Sequence, residues 1–358
     1  MSFTEVSFEN TQALCGNIYD APSPKKVLDF SSNVNILKMP GEVKKAIKSC
    51  DLSRFADADC RLAYKNLSAR HGVDAECMVL DNGVRSLLSL TLKSLRIRSA
   101  TVVMPCETEY KNICRMNMCD ILPYVLTERQ NYKLDCESFV EAITTRSDAV
   151  IMSNPCNVTG RIVSKNDMNT ILDYCQSKGI YVIVDETYMD FALNDQSCVS
   201  LLEKYHNLVV LRSPSEFHNL AGVNSAYAIA SREVVEIIKE NQLPRQLDVL
   251  ANALCAFAYK DEKYLLKTKK WIFENKNYFV KKLKEIKDVK VIHSDCHFML
   301  VSLGEVSATT VYNRLLKSNI LVRDASGFTG LDGSYIMVAV KDKKSIDRFM
   351  EALMRCLV

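Results

Sequence analysis

The segment Val209–Tyr227 reads VVLRSPSEFHNLAGVNSAY, and its character changes abruptly along its length. An apolar run ending at Leu211 gives way to Ser213-Pro214-Ser215-Glu216, followed by His218, by Leu220-Ala221-Gly222 and then by Asn224. Working outward, Asp148–Phe191 reads DAVIMSNPCNVTGRIVSKNDMNTILDYCQSKGIYVIVDETYMDF. Its apolar runs VIM and YVIVD bracket a stretch with helical character, which is the strand-helix-strand signature of a parallel sheet. An α/β fold is therefore expected. Met78–Leu95, MVLDNGVRSLLSLTLKSL, adds a largely apolar helix after the turn Asp81-Asn82-Gly83. Ala100–Asp120, ATVVMPCETEYKNICRMNMCD, reads as strand, turn and helix.

Composition narrows the function. The 358 residues are 48% hydrophobic and 25% charged, an ordinary globular balance with room for a large domain and a smaller one. With 46 basic and 43 acidic side chains, a formal charge of +3 gives no electrostatic reason to expect nucleic acid or an anionic membrane as partner. A small-molecule or protein partner is expected instead. There is no run of about 18 apolar residues, and MSFTEVSFEN lacks the order of a signal peptide, so a cytoplasmic location is expected. Fourteen cysteines are spread along the chain without a CxxC pair and read as reduced thiols, not as a disulfide framework. His293, Cys296 and His297 are too few and too irregular for a metal site, and none is expected.

Taken together, these stretches resemble the fold-type I pyridoxal-phosphate (PLP) enzymes, in particular the threonine-phosphate decarboxylase and histidinol-phosphate aminotransferase group of class I/II aminotransferases. NPCNVTG (154–160) resembles NPNNPTG, DETYMDF (185–191) resembles DEAYxxF, and VLDFSSNVN (27–35) is similar to the N-terminal arm. The ending ILVRDASGFTGLDGSYIMVAV (320–340) resembles the decarboxylase-like C-terminus. The resemblance covers nearly the whole chain. It implies a large domain with a mostly parallel, seven-stranded-type sheet between helices, plus a small α/β domain. Residues 1–45 would form the arm and part of the small domain, 46–245 the large domain, and 246–358 the connecting helix with the C-terminal small domain.

The same resemblance assigns roles. Asn157 and Tyr188 would face the cofactor's phenolic oxygen, and Asp185 would pair with its ring nitrogen. Gly83 would hold its phosphate, which a helix N-terminus suits because backbone N–H groups and the positive dipole end face an anion, and Ser213 and Ser215 would be further cofactor contacts. The Schiff-base Lys of the pattern Ser-x-Ser-Lys, however, aligns with Glu216, and a carboxylate cannot form an imine. The phosphate-gripping Arg aligns with Asn224, the cross-dimer Tyr with Phe55, the stacking aromatic with Glu107 and the carboxylate-binding Arg with Met337. Arg323 matches one family Arg, and Lys341 replaces another. Charge-assisted contacts are worth about 1.5 to 3 kcal/mol each and ring stacking roughly 0.5 to 1.5, so PLP or pyridoxamine phosphate is expected to bind weakly and not tightly.

Crowded carboxylates at Glu107, Asp185 and Glu216 favour a cationic or hydroxyl-rich ligand, with Arg85, Arg323 or Lys341 as the candidate compensating cations. Three readings follow. The first is a repurposed, aminotransferase-like protein that binds or converts a small polar metabolite, with Glu216 and Tyr188 as the catalytic candidates and Arg85, Glu107, His218, Asn224 and Arg323 as ligand contacts. The second is a silent subunit partnered with a PLP-competent paralogue. The third is residual PLP or pyridoxamine-phosphate chemistry with His218 as base. A homodimer is expected.

Overall fold

The computed structural model describes residues 18–144 and 146–357. The described residues form two compact units: a small one of 18–33, 275–292 and 298–357, and a large one within 34–274 together with 293–297. These limits differ from the expected ones because 34–45 and 246–274 pack into the large unit. There Val43, Leu254 and Ala258 share one buried cluster, and Asn35 donates to the backbone oxygen of Phe217 at 2.9 Å and to Tyr264 Oη at 3.0 Å.

In the small unit β1 (Leu28–Asp29) pairs in parallel with a later strand, Ile320–Leu321. The large unit holds a seven-stranded sheet of β2 (Met78–Asp81), β3 (Ser99–Met104), β4 (Asp120–Val125), β5 (Ala149–Ser153), β6 (Tyr181–Asp185), β7 (Leu208–Arg212) and β8 (Ala226–Ala230). Its order is β2-β8-β7-β6-β5-β3-β4. Strands β3 to β7 are parallel, while β8 runs against both of its neighbours. The middle strands β6 and β7 are buried almost throughout, as expected for strands covered on both faces.

The helices are α1 (Gly41–Lys48), α2 (Arg61–His71), α3 (Val84–Ser94), α4 (Thr108–Met116), α5 (Cys136–Ala142), α6 (Lys165–Ser177), α7 (Arg232–Glu240), α8 (Val249–Phe257) and α9 (Glu262–Lys284). Several start at caps written in the sequence. Ser164 Oγ accepts from Asp167 N, and Asp248 Oδ1 accepts from Leu250 N and Ala251 N, each such cap contributing about 1 kcal/mol. Helix α4 ends in a Schellman motif: Cys119 N donates to Cys114 O at 2.9 Å and Met118 N to Arg115 O at 3.1 Å, with Met118 at a φ of 53°.

The rest of the small unit comprises β9 (Lys290–Val291), β10 (Phe298–Ser302), β11 (Ile320–Leu321), β12 (Arg323–Asp324), β13 (Tyr335–Ala339), α10 (Ala308–Lys317) and α11 (Lys343–Leu357). Its four-stranded sheet has the order β12-β13-β10-β9. Met337, where the family pattern has an Arg, lies in β13 and is fully buried. Among the described residues no helix is long and apolar enough to cross a membrane.

At the carboxyl ends of the middle strands β6 and β7 lies a buried ion cluster. Arg212, the last residue of β7, donates through Nη1 to Glu186 Oε2 at 2.8 Å and through Nη2 to Asp190 Oδ1 at 2.7 Å. Glu186 also accepts from Ser197 Oγ at 2.6 Å and Cys198 N at 2.5 Å, and Tyr259 Oη donates to Asp190 Oδ2 at 2.9 Å. Removing one member strands the rest in a low-dielectric interior. Arg212→Met should therefore cost about 3 to 5 kcal/mol of unfolding free energy, read from the urea midpoint at unchanged slope.

Candidate active site

Parallel strands end on the same side of a sheet, and ligands in open α/β sheets bind outside those carboxyl ends. Here β3 leads into Glu107, β5 into Asn157, β6 ends on Asp185, β7 leads into Ser213–Glu216, and β2 leads into Asn82 and Gly83. Because β8 is antiparallel, its start, preceded by Asn224 and Ser225, lies on that side as well. These segments enclose a cavity of about 340 Å³ built entirely from the large unit. Gly83, Arg85, Glu107, Asn157, Asp185, Tyr188, Ser213, Ser215, Glu216 and Asn224 all line it.

The two remaining candidates do not. Residues 214–218 form a helical turn in which His218 N donates to Pro214 O, so Glu216 and His218 fall on opposite sides of it. Glu216 faces the cavity. His218 is buried behind it, with Nδ1 2.7 Å from Pro214 O and its ring stacked on Tyr264 at 5.8 Å. Burial lowers its pKa, which keeps the imidazole neutral. Arg323 belongs to β12 of the small unit, where its guanidinium carbon lies 4.9 Å from the centroid of the Phe328 ring, and it is not part of this lining.

Each cavity residue is held by local geometry. Gly83 precedes α3 at a φ of +97°, a backbone that side chains other than hydrogen rarely adopt, and a Cβ placed there would sit 3.6 Å from Asn224 Cβ. Asn157 ties two loops together: its Oδ1 accepts from Glu107 N at 3.2 Å and its Nδ2 donates to Tyr110 Oη at 3.3 Å. Tyr110 Oη in turn donates to Asp185 Oδ2. The other oxygen of Asp185 accepts from Thr187 N at 2.9 Å and Thr187 Oγ1 at 2.6 Å. Ser213 Oγ donates to Glu216 Oε2 at 2.8 Å, and the Glu216 carbonyl accepts from Asn35 N at 3.0 Å.

Sequence reasoning missed Glu109 and Tyr110. Tyr110 stands three residues after Glu107 at the start of α4, the spacing that brings side chains to one helix face, and this was the available signal. Glu109 pairs with Arg85 at 2.8 Å, so the single cationic side chain of the lining already has an acidic partner.

The cavity's electrostatics follow from burial and crowding. Burial raises the pKa of Glu216, Asp185 adds to the rise, and Ser213 and Arg85 oppose it. Asp185 is likewise raised by burial against the hydrogen bonds from Thr187 and Tyr110, and Glu107 pushes it further up. The phenol of Tyr110 is held well above its ordinary value by burial and by Asp185. Among the described residues no group of three or more His, Cys, Asp or Glu side chains could hold a metal ion.

Comparison with known proteins agrees with this architecture. Residues 25–353 match the profile of the class I and II aminotransferases. The chain is 28% identical over 350 residues to threonine-phosphate decarboxylase of Salmonella typhimurium, covering 96% of each chain. It is 29% identical over 333 residues to histidinol-phosphate aminotransferase 2 of Archaeoglobus fulgidus, covering 92% of this chain and 93% of that one. The crystal structure of the histidinol-phosphate aminotransferase from Clostridium acetobutylicum superposes with a TM-score of 0.85 at 26% identity, over 92% of this chain and 99% of that one. The architecture is that of the fold-type I enzymes. The chain belongs to the class I and II aminotransferase family, whose members use PLP.

A group whose pKa is higher folded than unfolded gives stability that is fully present below its unfolded value and is lost as pH rises through its folded value. Glu216 is such a group. The melting temperature of Glu216→Gln should therefore exceed that of the natural chain by more at pH 8 than at pH 5. Differential scanning calorimetry at both pH values checks this, and an equal difference would show that Glu216 titrates as it does unfolded.

Proposed function

We propose that this chain is an aminotransferase-like protein that has given up the PLP imine and binds or converts a small polar metabolite in the cavity at the strand ends. The observation that carries the reading is Glu216. It lines the cavity at the position where the family pattern places its lysine, and no lysine is among the lining residues. An imine requires an amine, and a carboxylate offers none.

The residues present also fit the rest of the cofactor poorly. A phosphate dianion would meet Asn224 in place of a guanidinium, and the one cation of the lining is already paired with Glu109. The ring-nitrogen partner of the family pattern, Asp185, has both oxygens engaged by Thr187 and Tyr110. Glu107 stands where the pattern has a stacking ring. In this reading Glu216 is the acid or base: its raised pKa lets it hold or accept a proton closer to neutrality than an exposed carboxylate does, and Ser213 fixes its orientation. Tyr188 lines the same cavity and would orient the ligand.

The decisive experiment is borohydride reduction of the purified chain after incubation with PLP, followed by peptide mapping. No defined lysine of the large unit should carry the reduced adduct. A single lysine trapped stoichiometrically there would overturn the reading and return an ordinary aminotransferase.

A second reading concerns partners. Phe55 is 83% and Leu243 73% exposed, and the guanidinium of Arg245 lies 4.8 Å from the centroid of the Phe55 ring. Large apolar side chains gathered on one face favour coverage by another polypeptide. Related aminotransferases are typically homodimers, so we propose a second copy of this chain, with a PLP-competent relative as the competing occupant. Light scattering should give twice the chain mass, and Phe55→Glu with Leu243→Glu should shift it to the monomer.

A further inference from the structure

The turn that closes α4 brings together two thiols that lie outside the cavity lining. In a Schellman motif the amide of the last residue returns to the carbonyl five positions back, and the side chains at those two positions commonly meet in an apolar contact. Here the two positions are Cys119 and Cys114, whose backbones are joined by the 2.9 Å bond from Cys119 N to Cys114 O. Their thiols are hydrogen-bonded to each other, with Cys119 as the donor. Cys114 is fully buried and Cys119 is 5% exposed, yet Met116 and Met118 between them are 76% and 74% exposed. The thiol pair therefore lies directly beneath a surface turn. We propose that Cys114 and Cys119 form a redox-active dithiol, converted by hydrogen peroxide to an intramolecular disulfide and returned to two thiols by a low-molecular-weight thiol.

The two sulfurs are not equivalent. The hydrogen bond from Cys119 lowers the pKa of Cys114, against burial and the neighbouring Cys106. Cys119 is held well above the ordinary thiol range by donating that bond, by burial, and by the charges of Cys114, Asp148 and Asp120. Asp120 O, 3.7 Å from Cys119 Sγ, is a second acceptor for its proton. The thiolate is the nucleophile, so Cys114 reacts first. It attacks one oxygen of the peroxide, the O–O bond breaks, and Cys114 becomes a sulfenic acid while the departing hydroxide takes up the proton that Cys114 lost. The Cys119 sulfur then attacks the Cys114 sulfur, and the hydroxyl group leaves with the Cys119 proton as a second water. Two thiols and one peroxide give one disulfide and two waters, with two electrons passing from sulfur to oxygen. A disulfide asks for Cα atoms about 4.4 to 6.8 Å apart, which suits two residues joined by a direct backbone bond.

The test exposes the full chain to hydrogen peroxide, alkylates the remaining thiols under unfolding conditions and digests with trypsin without reduction. Cleavage after Arg115 puts the two cysteines in separate peptides, Asn112–Arg115 and Met116–Arg129, so the disulfide appears as one joined species. That species should form before any other cysteine pair is linked and should disappear after dithiothreitol. In Cys119→Ser the joined species should be lost and Cys114 should carry a sulfenic acid that dimedone captures. The unsubstituted chain decides the question even where the variant folds poorly. Sulfoxides at Met116 and Met118 with both thiols still open to alkylation, linkage of Cys114 or Cys119 to another cysteine instead, or oxidation that dithiothreitol does not reverse would overturn the proposal.

Discussion

A full positive charge in the interior governs the geometry of this protein. Arg212 is tolerable there only because Glu186 and Asp190 sit at 2.8 and 2.7 Å and because Ser197, Cys198 and Tyr259 complete the bonding of those carboxylates. Glu186 directly follows β6, and Arg212 is the last residue of β7, so the cluster pins the ends of two adjacent strands. Asp185 lies one residue before one of these charges, and Ser213–Glu216 begins one residue after the other. Their positions relative to each other are therefore set by a network whose charged members, Arg212, Glu186 and Asp190, are not part of the cavity lining.

The cavity at these strand ends carries more acidic than basic side chains. The segments at the strand ends keep their glycine, their asparagine and their aspartate, and so the cavity survives. In the proposed reading, what changes is which groups face inward: Glu216 for the amine, Asn224 for the guanidinium and Glu107 for the aromatic ring that the resemblance would put there. Backbone topology and side-chain chemistry are separable here: the first follows from strand order, the second from a handful of positions at strand ends.

Much of this was legible in the chain. The runs VIM and YVIVD announced adjacent parallel strands, and β5 and β6 pair in register from Ala149 with Tyr181 to Ser153 with Asp185. Residues directly after such strands converge by construction, and the family resemblance had already put Asn157, Glu107 and Glu216 at one site. Patterning could not say that 214–218 winds into a helical turn, so it could not tell that His218 points away from Glu216. Nor could it show that Tyr110 reaches across to Asp185, since that contact spans 75 residues. The unit limits were obscured for a related reason: Asn35 belongs with the large unit through bonds to Phe217 and Tyr264 that are likewise remote in sequence.

The link from Glu107 N through Asn157 to Tyr110 and Asp185 has one more consequence. It staples the loops after β3 and β5 to the end of β6 using protein groups alone. The mouth is thus preorganised, so an incoming molecule loses little of its interaction energy to ordering the loops it meets. A recess shaped this way holds its contour whether or not anything fills it, and the affinity it delivers reflects complementarity almost undiluted by induced fit.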